Sequence, residues 1–379
     1  MPDVVIVGAG PVGTFLDAEL ARLGVDAVLW DRRPAGGGGT RAIGIHAPVL
    51  AALEPGGATD RILERAVRVG RGEARSGGRL LGVVRFDRLN RRHPFVATLP
   101  QPETEGALAV GAPRPVRGMA VTGIHREGDR VRVQALRDGG TVETTAPAVV
   151  VAGGVGARGL VFRPGMPRGS EYPDRYLMSD AVVPPRDDDA VAVVHLDEGG
   201  VLESFPLPDG RRRFVAWDEG GGTDDDDARL ARLRAALTAR GEHDGAAAIT
   251  SATAFRVRRV VAPQLRRGRV FVIGDTAHEV SPIGGQGMNL GLLDAAGLAP
   301  LLADWTHRGV APEERLAAWE RERVRSARWA ARLAAANTGL GRPVSAAGSA
   351  VRARALRAAL ASGGRVFAHA YAMGFDAAS

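Results

Sequence analysis

The segment "DVVIVGAGPVGTFLDAELARLGVDAVLWDRRP", residues 3–34, constrains the fold more than any other part of the chain. Val4 to Val7 form an apolar, β-branched run, the pattern of a strand buried on both faces. Gly8, Gly10 and Gly13 follow as GxGxxG, and Leu16, Leu20 and Leu23 then fall at helical spacing. Gly24 ends the predicted helix, "AVLW" reads as a second strand, and Asp31 stands at its end. A lone GxGxxG is a weak signal. Set between a strand and a helix, with an acid after the next strand, it is a dinucleotide-binding pattern. The first glycine makes the tight turn, the second lets backbone approach a pyrophosphate, and the third lets helix and strand pack closely. The helix N-terminus offers N–H groups and partial positive charge to the phosphates. Asp31 is placed to accept hydrogen bonds from a ribose diol. Asp17 is the anomaly, an acid inside the helix where a small apolar residue is expected.

A second dense motif lies late in the chain. "GRVFVIGDTAHEVSPIGGQGMNLGLLDAA", residues 268–296, runs from a buried strand through an acid, a histidine and closely spaced glycines into a helix. A surface loop needs no such glycine density, so a ligand or another backbone must approach it closely. Composition narrows the chemistry. The 379 residues, 45% of them hydrophobic, suit two or three structural units. Without cysteine there is no disulfide framework, thiolate metal site or Cys nucleophile. Lysine is absent too, and all 50 basic residues are Arg, which excludes Schiff-base and P-loop lysines. The formal charge of +7 does not point to nucleic acid, because the Arg residues are scattered and few aromatics accompany them. No apolar run is long enough to cross a bilayer and the N-terminus carries no signal-peptide pattern, so a soluble cytoplasmic protein with no membrane partner is expected. "TDDDDARLARLRAALTARG" reads as a helix with acids at its start rather than a metal site, and no metal is expected.

The expected architecture is α/β, a Rossmann-like nucleotide-binding domain with an inserted β-sheet domain and C-terminal helices. The nucleotide-binding domain is read in three parts, 1–71, 101–170 and 256–303. Short strands at 72–100 and a second unit at 171–255 form the inserted sheet, and 304–379 is helical.

The two glycine motifs together resemble the FAD-dependent aromatic hydroxylases, the para-hydroxybenzoate hydroxylase-like group A flavoprotein monooxygenases. "TRAIGIHAPVL" looks like that family's first-Arg segment and "FVATLPQPETE" like its flavin-contacting Gln segment. "FPLPDGRRRFVAW" is similar to its substrate-sheet hairpin and "WERERV" to the start of its C-terminal helix. The resemblance implies an FAD site made of Gly8, Gly10, Pro11, Val12, Gly13, Asp31, Arg32, Arg41, Gln101, Asp275, Pro282, Gly285, Gly287, Met288 and Asn289. Pro282 is expected near flavin C4a, and the helix start at Gly285–Asn289 near flavin N1 and O2, where reduction places negative charge. His278 is open between a flavin contact and a structural hydrogen bond.

The implied reaction is hydroxylation of an aromatic or polyketide-like small molecule with O2, through a flavin C4a-hydroperoxide, with NAD(P)H as electron donor. Epoxidation, Baeyer–Villiger insertion, a flavin oxidase or dehydrogenase, and a non-catalytic FAD-binding accessory protein are the alternatives. The substrate is expected against the inserted sheet near His195, Phe205, Arg213 and Trp217. One departure bears on the nicotinamide. After "VVVAGG" the family reads Asp-Gly, then Ser and Arg, where this chain has Gly153, Ala157 and Leu160.

Overall fold

The computed structural model describes residues 1–36, 42–89, 91–220, 224–281, 283, 285–371 and 373. Its organising element is a six-stranded sheet, in the order Arg266–Arg267, Val270–Val272, Ala148–Val151, Val4–Val7, Ala27–Asp31 and Val116–Arg117. The Val4–Val7 strand pairs in parallel with Ala27–Asp31 on one side and Ala148–Val151 on the other. All four of its residues are buried, as an apolar run between two parallel neighbours requires. The helix Pro11–Arg22 packs against this sheet and against the long helix Gly287–Arg308. An antiparallel meander, residues 120–146, buries Val131, Val133 and Ala135 in the same core.

The second sheet has eight strands, in the order His278–Glu279, Thr253–Val261, Gly169–Val182, Arg211–Asp218, Gly200–Pro206, Val191–Asp197, Arg71–Ser76 and Arg79–Arg85. Alternation along its strands creates two buried faces. Leu177, Ala181, Leu202, Phe214 and Ala216 pack against Leu233, Leu237 and Ile249 of the helical segment that follows. Tyr176, Met178, Val201, Val215 and Val257 point the other way and pack with Ile283, from the late glycine loop. The helix Ala346–Tyr371 covers the Arg79–Arg85 edge, with Leu360 so close to Gly82 that a Cβ there would lie 2.7 Å from it.

The segment limits differ from the sequence reading in three places. Val96–Thr98 does not join the eight-stranded sheet but pairs with Gly44–Ile45 and Val67–Val69. The eight-stranded sheet runs past residue 255, taking in Thr253–Val261 and His278–Glu279. A boundary at 303/304 would cut the helix Gly287–Arg308. In the first two cases long-range pairing, which local composition does not encode, sets the limit; in the third the helix simply runs on to its left-handed cap at Gly309. Among the described residues no helix is long and apolar enough to cross a membrane, and no cluster of side chains could hold a metal ion.

Candidate active site

The first turn is built from backbone against backbone. Gly8 has φ +109°, and a Cβ on it would lie 2.4 Å from the Cα of Gly153. A Cβ on Gly13 would lie 1.9 Å from the carbonyl oxygen of Gly8. Gly10 is different, because a Cβ there meets nothing within 4 Å. It caps the helix Pro11–Arg22, whose N-terminus has no side-chain cap, and Pro11 pre-sets the first helical φ. Open space at Gly10 beside uncapped helix N–H groups suits a pyrophosphate, so this turn fits the FAD expected of it. Val12 then joins the two glycine motifs. A Cβ on Gly291 would lie 2.6 Å from Val12 and 2.9 Å from the Cα of Gly274.

Asp31 ends its strand as expected, but its carboxylate is occupied within the protein. It accepts from Ala9 N at 2.6 Å and from Arg33 N at 2.8 Å, and Arg33 Nε and Nη2 each lie 3.0 Å away. Burial alone would raise its pKa, yet the bonds from Arg33 and Ala9 outweigh that and hold it below the usual carboxylate range. Arg32 is exposed and reaches over Gly156. Gln101 opens the helix Gln101–Ala109 and donates to Glu105 at 2.9 Å. Arg41, Pro282 and Gly284 lie outside the described residues.

The late motif folds into a tight loop held from behind. His278 is fully buried, with Nε2 2.6 Å from Asp294 Oδ2. The same carboxylate accepts from Gly274 N at 3.1 Å and from Arg323 Nε at 2.9 Å. Burial would raise the Asp294 pKa, but His278 and Arg323 bring it below the ordinary range. His278 therefore serves the structural hydrogen bond of its two readings. Asp294 and Arg323 were missed by sequence reasoning, although Arg323 lies in the quoted "WERERV". Arg158 donates to the carbonyl of Asp275 at 2.8 Å and to Glu279 at 3.0 Å, clamping the loop from the Gly153 side. The Asp275 side chain is exposed. Gly285 has φ +68°, and Gly287 starts the long helix, followed by the buried Met288. Asn289 is committed internally: its amide donates to Gly44 O and Gly285 O, both at 2.8 Å, and accepts from His46 N at 3.0 Å. Both of its amide hydrogens are therefore used within the protein. Gly153 has a second constraint, since a Cβ there would lie 2.7 Å from the Cβ of the buried Ala157.

Strand register sorts the candidates on the sheet. Arg213 and Trp217 share a face with Val215, and Phe205 is paired with Arg213. This is the face of Tyr176 and Ile283. Arg213 is held by Asp180 through two contacts of 2.6 and 2.7 Å. Trp217 donates to Asp174 at 3.3 Å. His195 is a correction. It is paired with Leu202, which faces the helices, and its Nε2 lies 3.4 Å from Glu242 on that side. Burial would raise the Glu242 pKa, but His195 and Arg186 pull it down to about 2. One position of register separates the two faces, and the sequence did not fix it. Two polar residues on the loop-facing side were not anticipated, Glu203 and the fully buried Tyr176. The signal was present in "VLESFP", an acid amid apolar residues.

The comparisons with known proteins identify the family of this chain. The family model described as an FAD binding domain matches residues 1–334. The 6-methylpretetramide 4-monooxygenase of Streptomyces rimosus is 34% identical over 338 residues, 85% of this chain and 59% of that protein. The rifampicin monooxygenase of Rhodococcus hoagii is 33% identical over 345 residues, 85% of this chain and 68% of that protein. The chain thus spans roughly three fifths to two thirds of these relatives' length. Among solved structures, the OxyS anhydrotetracycline hydroxylase of Streptomyces rimosus superposes with a TM-score of 0.76 at 26% identity, covering 98% of this chain and 75% of that one. The p-nitrophenol 4-monooxygenase PnpA of Pseudomonas putida shares the fold, with a TM-score of 0.84 at 22% identity over 99% of this chain and 98% of that one. With its two glycine motifs joined through Val12 and a family model covering most of its length, this chain belongs to the FAD binding domain family, among the FAD-dependent aromatic hydroxylases.

Proposed function

We propose that this protein is an FAD-dependent monooxygenase that uses O2 and NAD(P)H to hydroxylate an aromatic or polyketide-like small molecule. One observation carries the reading. Ile283, within the glycine loop of the cofactor side, packs in the same cluster as Tyr176, Met178, Val201, Val215 and Val257 of the eight-stranded sheet. The cofactor loop and the apolar sheet face therefore meet, and a ring system between them is shielded from water. Bound FAD supplies the redox chemistry, taking electrons from a nicotinamide and activating oxygen.

The chain's own residues supply the rest. Gly10 and the N-terminus of the helix Pro11–Arg22 hold the pyrophosphate. Arg32 would flank the nucleotide end, and Gln101 keeps the flavin-side role that its segment implies. Asp275 would bind the ribityl or phosphate region, the loop through Gly285, Gly287 and Met288 would bring backbone to the flavin ring, and the helix that begins at Gly287 would direct its positive end there. Val215 and Trp217, with Phe205 further along, form the bed on which the substrate lies. The relatives named for tetracycline precursors and rifampicin support a polyketide-like substrate. We place the protein in the cytoplasm, where a nicotinamide donor is present.

Purified protein should carry FAD and consume NAD(P)H and oxygen faster when substrate is added, with one atom of 18O2 entering the product. Hydrogen peroxide as the sole oxygen product, with every substrate tried, would assign an oxidase instead.

A further inference from the structure

The monooxygenase reading leaves open what kind of ring system the sheet face accepts, and one buried acid bears on it. Glu203 lies mid-strand in Gly200–Pro206, on the face turned to the glycine loop. Its in-register neighbours are Val194 and Val215. It is 5% exposed and makes no hydrogen bond or ion pair among the described residues. On this sheet and its late loop the other deeply buried acids are paired: Asp174 with Arg342, Asp218 with Arg175 and Arg232, Glu242 with Arg186, and Asp294 with Arg323. Asp17, on the cofactor-side helix, shares with Glu203 the lack of a partner.

The charged and titratable groups around Glu203 do not supply a cation. Arg213, one strand away on the same face, is taken by Asp180. Arg342 is taken by Asp174. The Gly169–Val182 strand contributes Tyr176, whose hydroxyl sits beside Thr338 in no geometry that satisfies it. The Ala346–Tyr371 helix contributes Tyr371, which donates to Asn337 at 2.7 Å, while His369 is turned to Arg91. The Glu313–Leu340 helix and the loop contribute the Thr338 and Ser281 hydroxyls, 3.0 Å apart. Burial without a compensating charge lifts the Glu203 carboxyl to about 8, so it carries its proton at neutral pH. A carboxyl in that state is a hydrogen-bond donor.

We propose that Glu203 is a specificity residue of the substrate side: from the sheet face turned to the glycine loop it donates a hydrogen bond to a carbonyl or hydroxyl oxygen of an uncharged polycyclic substrate, and the face disfavours aromatic carboxylates. The surroundings fit such a ligand. Met178, Val201, Val215 and Trp217 are the apolar neighbours of Glu203 on this face, and Tyr176 stacks on Phe255 with centroids 5.6 Å apart. An aromatic carboxylate would have to bury its charge on a face where Arg213 is already held by Asp180 and Arg342 by Asp174.

The test uses the full FAD-loaded chain and a matched pair of probes, 2-acetylnaphthalene and 2-naphthoate, with binding measured by equilibrium dialysis from pH 6 to 9.5. The ketone should bind wild-type protein at least tenfold more tightly than the carboxylate at pH 7. Its affinity should fall at least fivefold by pH 9.5, as Glu203 ionises. Glu203→Gln, which keeps a donor that does not titrate, should retain ketone binding and lose the pH dependence. Glu203→Leu should weaken ketone binding about tenfold at pH 7. Undetectable ketone binding, naphthoate binding as tight as the ketone, or an unchanged pH profile in Glu203→Gln would each overturn the proposal. Because this inference rests on the monooxygenase reading, FAD content and 18O incorporation are measured on the same preparation. A normal flavin complement with an unselective pocket removes only the role of Glu203. A preparation that cannot hold FAD removes the parent reading.

Discussion

At Gly13 a methyl group would stand 1.9 Å from a carbonyl oxygen, and at Gly8 it would stand 2.4 Å from another Cα. On the sheet face around Glu203 the contacts are between side chains: Val194 and Val215 flank the acid, and Tyr176 stacks on Phe255. The cofactor cradle is thus fixed by main-chain contact, which tolerates almost no substitution. The substrate side is fixed by side chains on a regular sheet, which can change while the backbone stays. A fold that separates the two can keep one cofactor and take up different substrates.

The largest expected effect tests the cradle. Gly13→Ala should cost more than about 4 kcal/mol, because neither partner is a movable side chain, and should yield little folded protein. Gly10→Val should do the opposite, keeping the fold, since there is room for its Cβ, but losing FAD. Thermal melts paired with flavin absorbance separate the outcomes, and a folded, flavin-loaded Gly13→Ala protein would break the comparison.

Next comes the buried tie behind the late loop. Arg323→Ala leaves Asp294 with His278 and the Gly274 amide but no guanidinium, and should destabilise by about 3–5 kcal/mol in urea unfolding. A loss below about 1 kcal/mol would mean that His278 suffices to hold the loop.

Asp17 sets a pH dependence on the cradle side. Both its carboxylate oxygens are buried without a partner, and burial raises its pKa to about 7. A carboxyl whose folded pKa is raised binds its proton more tightly in the folded state. Its contribution is therefore fully present below pH 4 and is lost as pH rises through 7. The loss amounts to a few kcal/mol, on the order of 1.4 kcal/mol for each tenfold gain in proton affinity on folding. Asp17→Ala should remove this component from the stability–pH curve between pH 4 and 7. Curves of identical slope for the two proteins would show that Asp17 is paired or hydrated in solution.

The smallest effect on the fold, and the sharpest on division of labour, comes from the sheet. Trp217→Ala should cut turnover at least tenfold while FAD content stays within about a tenth of wild type. His195→Ala, on the helix-covered face, should cost about 1 kcal/mol of stability and leave turnover unchanged. Equal loss of FAD in Trp217→Ala, or lost turnover in His195→Ala, would undo the assignment of faces.

Local sequence went far on the cradle. The strand Val4–Val7, the turn at Gly8–Gly13, the helix Pro11–Arg22 and Asp31 at the end of the next strand are all contiguous, and each follows from residue type over a few positions. The glycine density of residues 274–291 already required a close approach. What it meets is partly Val12 and Gly274 of the protein itself, as Gly291 shows. The expected ribose acceptor, Asp31, also proved to be bonded to Arg33 and Ala9, because a side chain two residues away can fold back in a manner no motif records.

The sequence by itself determined the nucleotide-binding turn, the α/β class and the presence of a second, strand-rich unit, since these rest on short-range periodicity and on the conformational freedom of glycine. Tertiary structure decided which face of that unit His195 and Glu203 occupy, since a shift of one residue in pairing exchanges the faces. It also decided that Asp294 would find His278 and Arg323 while Glu203 would find no cation. Pairing of buried charges depends on which distant segments are brought together, and spacing along the chain carries no record of that.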